Sequence, residues 1–177
     1  IGNKTDDDNM YYVKKADSDI IYKINSDKIS VFTDATLFSL TNPTIYATDE
    51  TDFSSFEIDY KGQTSNISLE REEDEYKSTE NKTYYQYHPV LNGAQMDAQE
   101  YESFLSSIQN TALEQATNLT AKGEPVLKIT IKHFDTDRID TISFYETYGN
   151  ILVVTGDIVR GMIGTSSFET LIESMPI

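Results

Sequence analysis

Two histidines, thirty carboxylates, twelve tyrosines and no cysteine bound the chemistry open to this 177-residue chain. Without a thiol there is no disulfide, no thiolate zinc site and no cysteine nucleophile. A Ser-His-Asp triad would have to draw its base from His88 or His133. His88 precedes a proline at a strand end. His133 continues the apolar face of Leu127, Ile129 and Ile131, where an imidazole is more often a hydrogen-bonded core group than a base. No Gly-x-Ser-x-Gly elbow carries a serine nucleophile. A cryptic hydrolase built on His88 or His133 is therefore the weakest functional alternative, and no catalytic residue is assigned.

Three acidic clusters could attract a cation: Asp6 to Asp8, Asp17 with Asp19, and Asp135 with Asp137 and Asp140. Calcium needs a full oxygen shell, which loops supply from alternate positions with a glycine and a closing glutamate. Arg138 puts a positive charge where the third cluster would need a ligand or that glycine. Asp17–Asp19 and Asp135–Asp137 are instead read as turns whose short acidic side chains bond their own backbone. Gly156, Gly161 and Gly164 match no nucleotide fingerprint, and no Lys or Arg follows them. They are read as turn and bulge glycines. No metal and no cofactor is expected.

The tyrosines are more suggestive. Tyr76, Tyr84, Tyr85 and Tyr87 lie between an acidic run and a helix. Tyrosine combines contact area with a hydrogen-bonding tip, as carbohydrate- and protein-binding surfaces require. The competing reading is that they alternate in and out of a sheet as good strand formers. These four are the candidate ligand-binding residues.

The elements that must position them follow from periodicity. Residues 1–9 are acidic and polar and are expected to be disordered. Tyr11–Lys15 and Ile20–Ile24 read as strands, Lys28–Phe32 as a third, and Leu37 with Leu40 as a short helix capped by Asp34 and stopped by Asn42-Pro43. Phe56–Tyr60 alternates, Lys61-Gly62-Gln63 turns, and Asn66–Glu70 returns as a hairpin. Tyr76 and Tyr84–Pro89 read as aromatic edge strands, closed by Pro89. Asp97 and Glu100 form a capping box opening a helix whose stripe is Tyr101, Phe104, Leu105, Ile108 and Ala112. Asn118 or Gly123 should end that helix before Pro125. Strands then follow at Val126–Phe134, Ile142–Phe144, Ile151–Thr155 and Ile158–Ile163, and a Ser166–Glu169 capping box opens a last helix.

This order gives an α+β fold: antiparallel hairpins and a meander packed on one long amphipathic helix plus short helices. Residues 10–177 form a single domain, or two lobes, 10–48 with 126–177 and 49–125. Front and back both run strand, turn, strand, short helix. Their strand-to-helix spacing differs and no run of identities survives, so independent use of a common motif is favoured over a relic duplication.

The balance of 14 Lys plus Arg against 30 Asp plus Glu gives a formal charge of −16. Such a surface repels nucleic-acid phosphates and anionic lipid headgroups. No nucleic-acid partner is expected, and no membrane contact except through an anchor outside this sequence. No apolar run is long enough to span a bilayer. The opening is polar and lacks Met, which suggests a mature or trimmed fragment. Sequons at Asn3, Asn66, Asn81 and Asn118 are close to what chance gives in a chain this rich in Asn, Ser and Thr.

The succession of short front strands, Phe56–Tyr60 with its turn and return, an aromatic strand ending in Pro89, the helix from Asp97 and the closing meander after Pro125 resembles the bacterial domain-of-unknown-function family 4340. The resemblance covers about Tyr11 to Met175. Tyr76 stands where a Trp is common in that family. The resemblance implies an N-terminal membrane anchor, an extracytoplasmic region and an association with ABC-type export or gliding-motility components. It supplies no catalytic residues. The expectation is a non-enzymatic, extracytoplasmic scaffold or binding domain with a protein partner in a transport or envelope complex. The alternative is a carbohydrate- or peptide-binding module using the four tyrosines.

Overall fold

The computed structural model describes residues 1–6, 9–16, 18–33, 43–46, 48 and 52–177, with backbone alone at 31–33. The expected helix around Leu37 and Leu40, its Asp34 cap and its Asn42 stop lie outside the described residues. So do Asp7, Asp8 and Asp17 of two acidic clusters. The described chain forms two compact units, Ile1–Asn42 and Pro43–Ile177.

The first unit is a hairpin of β1 (Met10–Lys14) and β2 (Ile21–Asn25), followed at once by α1 (Ser26–Thr33). Residues 2–5, expected to be disordered, run antiparallel to β1 instead. Gly2 and Thr5 donate backbone N–H groups to Tyr12 and Met10 at 2.7 and 2.8 Å. The segment Lys28–Phe32, expected as a strand, is helical. The Asn25 side chain accepts the Asp27 N–H at 2.9 Å, which satisfies a first-turn donor, and Asp27 suits the helix N-terminus. Ile29 on that helix is buried.

The second unit is one eight-stranded antiparallel sheet, ordered β10-β9-β8-β7-β3-β4-β5-β6. Its strands are β3 (Phe53–Tyr60), β4 (Gln63–Glu73), β5 (Tyr85–Leu91), β6 (Ala94–Gln95), β7 (Leu127–His133), β8 (Ile139–Glu146), β9 (Asn150–Thr155) and β10 (Ile158–Gly164). Lys61 and Gly62 both have positive φ, 52° and 81°, as a two-residue primed hairpin turn requires. Asn92 and Gly93 repeat the device between β5 and β6. Residues 126–177 belong to the same compact unit as 43–125. β7 hydrogen-bonds to β3.

One face of this sheet is the core. Cross-strand rows such as Ile67–Phe56–Ile131 and Ile58–Ile129–Ile142 follow from the register, and all six side chains are buried. Two helices cover it. α2 (Ala98–Asn110) sets Phe104 edge-on to Phe56 at 5.2 Å. α3 (Thr165–Glu173) sets Phe168 against Phe144 at 5.6 Å. Strands dominate the second unit, and its two described helices are short and gathered on the sheet rather than alternating with it.

The long helix expected to reach Asn118 stops at Asn110. Thr111 takes extended dihedrals, and its carbonyl accepts the Ile45 N–H at 3.0 Å while Leu113 donates to Pro43. Residues 111–113 are thus used as a strand partner for 43–45, which outweighs the helical stripe that would have included Ala112. The chain continues onto edge strand β10, where Glu114 donates its N–H to Met162 at 2.8 Å and Met162 donates to Gln115 at 2.9 Å. Residues 118–122 then lie by Tyr145 and Leu152, lining an open cavity of about 520 Å³. β9 is buried at four successive residues, Ile151 to Val154, and the strap lies by it at Leu152. The capping box expected at Ser166 does not form. Gly164 is the N-cap without a side-chain bond of its own.

Candidate functional site

Strand parity decides what the tyrosines do. Asp74 donates its N–H to the Tyr84 carbonyl, and Asn92 donates to the Asn66 carbonyl, both at 2.8 Å. In an antiparallel ladder these bonded pairs recur every second residue, so even-numbered positions of β5 bond β4. Odd-numbered positions turn their backbone groups the other way. Pro89 is odd, so its missing N–H is not needed by β4, and its carbonyl accepts Met96 N–H at 2.9 Å. That is why the proline, expected to close the strand, sits inside it. β6 pairs only with Val90 and Leu91. Among the described residues no strand pairs with the outer edge of β5 from Tyr85 to His88.

Beside this edge runs an open groove of about 450 Å³, lined by Tyr87, His88, Pro89, Gln95, Met96 and Asp97 among others. Met96 is buried and forms an apolar floor. The Asp97 carboxylate is committed to the N–H groups of Gln99 and Glu100 as the N-cap of α2.

Tyr85 and Tyr87 converge on Arg71, which sits opposite Tyr87 on β4. The Arg71 guanidinium lies between the rings of Tyr85 and Phe134, 4.4 and 4.3 Å from their centroids. It donates two 2.7 Å bonds to the Asp135 carboxylate and a 3.2 Å bond to Asp52. Nη2 makes both bonds to Asp135 and Nη1 the bond to Asp52, so the planar guanidinium reaches two carboxylates while it stacks between the rings. Asp135 holds a positive φ of 57° at the β7–β8 turn, as the turn reading requires. Tyr87 donates its hydroxyl to Asp52 at 2.7 Å. Burial, and then the bond and negative charge of Asp52, push the Tyr87 phenol up to about 12.

The other two candidates stand apart. Tyr76 is no edge strand. It sits in a turn where Asp74 Oδ1 accepts the N–H of Tyr76 and Lys77 at 3.2 Å, and its side chain is 100% exposed. Tyr84 is part-exposed, with Lys82 Nζ 4.6 Å over its ring. The structure therefore joins Tyr85 and Tyr87 through Arg71 and leaves Tyr76 and Tyr84 as separate aromatic surfaces. Arg71, Asp52, Phe134 and Asp135 were missed from sequence. The available signal was Arg71 itself, the one cation in an acidic run and in phase with Leu69.

The histidines are equally distinct. His133 is buried, with Nε2 3.0 Å from Asp140 Oδ2. The same carboxylate accepts the Tyr46 hydroxyl at 2.6 Å and Arg138 at 2.8 and 3.0 Å. Burial would raise the Asp140 carboxyl, but the bonds from Arg138, Tyr46 and His133 hold it below the usual carboxylate range. This network ties the strand-end residues His133 and Asp140 to Tyr46. His88 is half-exposed, with Nε2 3.8 Å from Glu72.

The family model described as Domain of unknown function (DUF4340) matches residues 1–126. No curated protein and no solved structure matches the chain. The match ends as β7 begins, so it takes in the tyrosine strand β5, its groove and Arg71, and on that span the chain belongs to the DUF4340 family.

Proposed function

We propose that this chain is a non-enzymatic binding domain of an extracytoplasmic, membrane-anchored protein, and that a partner segment adds as a strand to the outer edge of β5. The observation that carries this is the unpaired edge at Tyr85 and Tyr87 beside a groove floored by Met96. Edge addition draws affinity from backbone hydrogen bonds and specificity from alternate side chains. Arg71, with Asp52 and Asp135, fixes the Tyr85 and Tyr87 rings on one face of that edge, which lowers the ordering cost of binding. The location and the place in a transport or envelope complex rest on the family resemblance. The acidic surface favours a partner with basic side chains.

Selection from a displayed library of extended peptides tests this reading. Binders should recur, and Tyr85→Pro should weaken them at least about tenfold. That change removes an outward N–H while the β4 ladder uses only even positions. Recovery of no binders, or equal binding by Tyr85→Pro, would reject strand addition. The exposed Tyr76 ring favours a second reading, a sugar stacked on Tyr76 or Tyr84, for which a glycan array and Tyr84→Ala are decisive.

A further inference from the structure

The first unit and the end of the second are built on one register. β1 opens opposite the last residue of β2, Met10 to Asn25, and β9 opens opposite the last residue of β10, Asn150 to Gly164. Tyr11 faces Ile24 as Ile151 faces Ile163, and Tyr12 faces Lys23 as Leu152 faces Met162. A helix starts at the next residue in each, Ser26 and Thr165, and its fourth residue is buried, Ile29 and Phe168.

The correspondence extends upstream. Lys4 bridges Tyr11 as Glu146 pairs with Ile151. Thr5 donates both its N–H and its hydroxyl to the Met10 carbonyl, at 2.8 and 3.2 Å. Thr147 donates the same two groups to the Asn150 carbonyl, each at 2.9 Å. Asp19-Ile20 and Asp157-Ile158 fall at the same place before β2 and at the start of β10. Two things hid this in the sequence: longer turns in the first unit, and the bulge between Val159 and Gly161 that adds a residue to β10.

The copies differ in what covers them. Leu152 is fully buried, whereas Tyr12 at the same position is 39% exposed. Ile163 is fully buried and Ile24 only partly. In the second unit β9 pairs with β8, β8 with β7, and residues 118–122 lie by Leu152. In the first unit, among the described residues, β1 pairs only with β2 and the short segment 2–5, and so small a sheet is marginal in water without further strands or a covering layer.

We infer that residues 2–33 are the closing meander and helix of a preceding copy of the second unit's sheet, and that strands of that copy, upstream in the natural polypeptide, cover the β1–β2 face bearing Tyr12. The occupant is a strand of the β7 kind, adding antiparallel to the strand that holds Lys4, the counterpart of β8, together with a strap of the 118–122 kind over Tyr12.

Amide hydrogen exchange on residues 1–177 and on the full natural polypeptide tests this. In residues 1–177 the amides of Tyr11 and Val13 should exchange far faster than their counterparts Ile151 and Val153. In the full polypeptide their protection should rise roughly a hundredfold, toward that of β9. Tyr12→Asp in the full polypeptide should reverse most of the rise. Equal protection of Tyr11 and Val13 in both lengths would overturn the inference, as would a rise that Tyr12→Asp leaves intact. Neither outcome bears on peptide binding at β5.

Discussion

The Ser167 hydroxyl donates a 2.5 Å hydrogen bond to the Glu114 carboxylate, joining the strap to the first turn of α3. The same carboxylate accepts the Gly164 N–H, and the two bonds hold its pKa below the usual range. A glutamate fifty residues upstream thus holds the N–H of Gly164 and the Ser167 side chain at the start of α3, and its charge suits the helix N-terminus.

Glu114→Gln should destabilise the second unit by about 0.3–1 kcal/mol, the range for a solvent-screened charge at a helix N-terminus. A depressed carboxyl contributes stability above its unfolded pKa and loses it as pH falls through the folded value. Urea unfolding at neutral and acid pH checks both points. The gap between wild type and Glu114→Gln should close as the solution is acidified.

Phe56 anchors the core under α2, with Phe53 and Phe104 rings each 5.2 Å away. Phe56→Ala should cost about 3–5 kcal/mol, the range for deleting a buried ring. Equilibrium denaturation followed by far-UV circular dichroism measures it. A loss below about 1 kcal/mol would mean that α2 does not pack as described.

Tyr87 gives an alkaline signature. Its phenol is raised to about 12 from an unfolded value near 10. A raised pKa contributes stability below the unfolded value and loses it as pH climbs through the folded one. Wild type should therefore lose stability relative to Tyr87→Phe between about pH 10 and 12. Thermal melts across that window report the difference.

The Lys61-Gly62 turn offers a backbone test. Gly62 has φ of 81° and open space where a Cβ would be, so conformation alone decides. Gly62→Ala should cost about 1 kcal/mol by unfolding.

Much of this fold was legible because local signals agreed with tertiary ones. Phe56–Tyr60 alternates and ends in a primed-turn pair, and Leu127–His133 carries its apolar residues on one face. The misreadings came where a partner distant in sequence decided. Lys28–Phe32 looks like a strand, yet the Asn25 side chain starts a helix there. Ala112 continues a helical stripe, yet 43–45 draw that segment out as a strand. The tyrosine cluster was visible as composition. Its organising cation was not, because Arg71 meets Asp52 and Asp135 from 19 and 64 residues away.

Amide exchange across β5 with a library-selected peptide bound reads strand addition residue by residue. The amides of Tyr85 and Tyr87 should slow on binding, while those of Gln86 and His88, already bonded to β4, should change little. Protection that ignores this alternation, or that falls elsewhere on the sheet, would contradict the proposed role of the β5 edge.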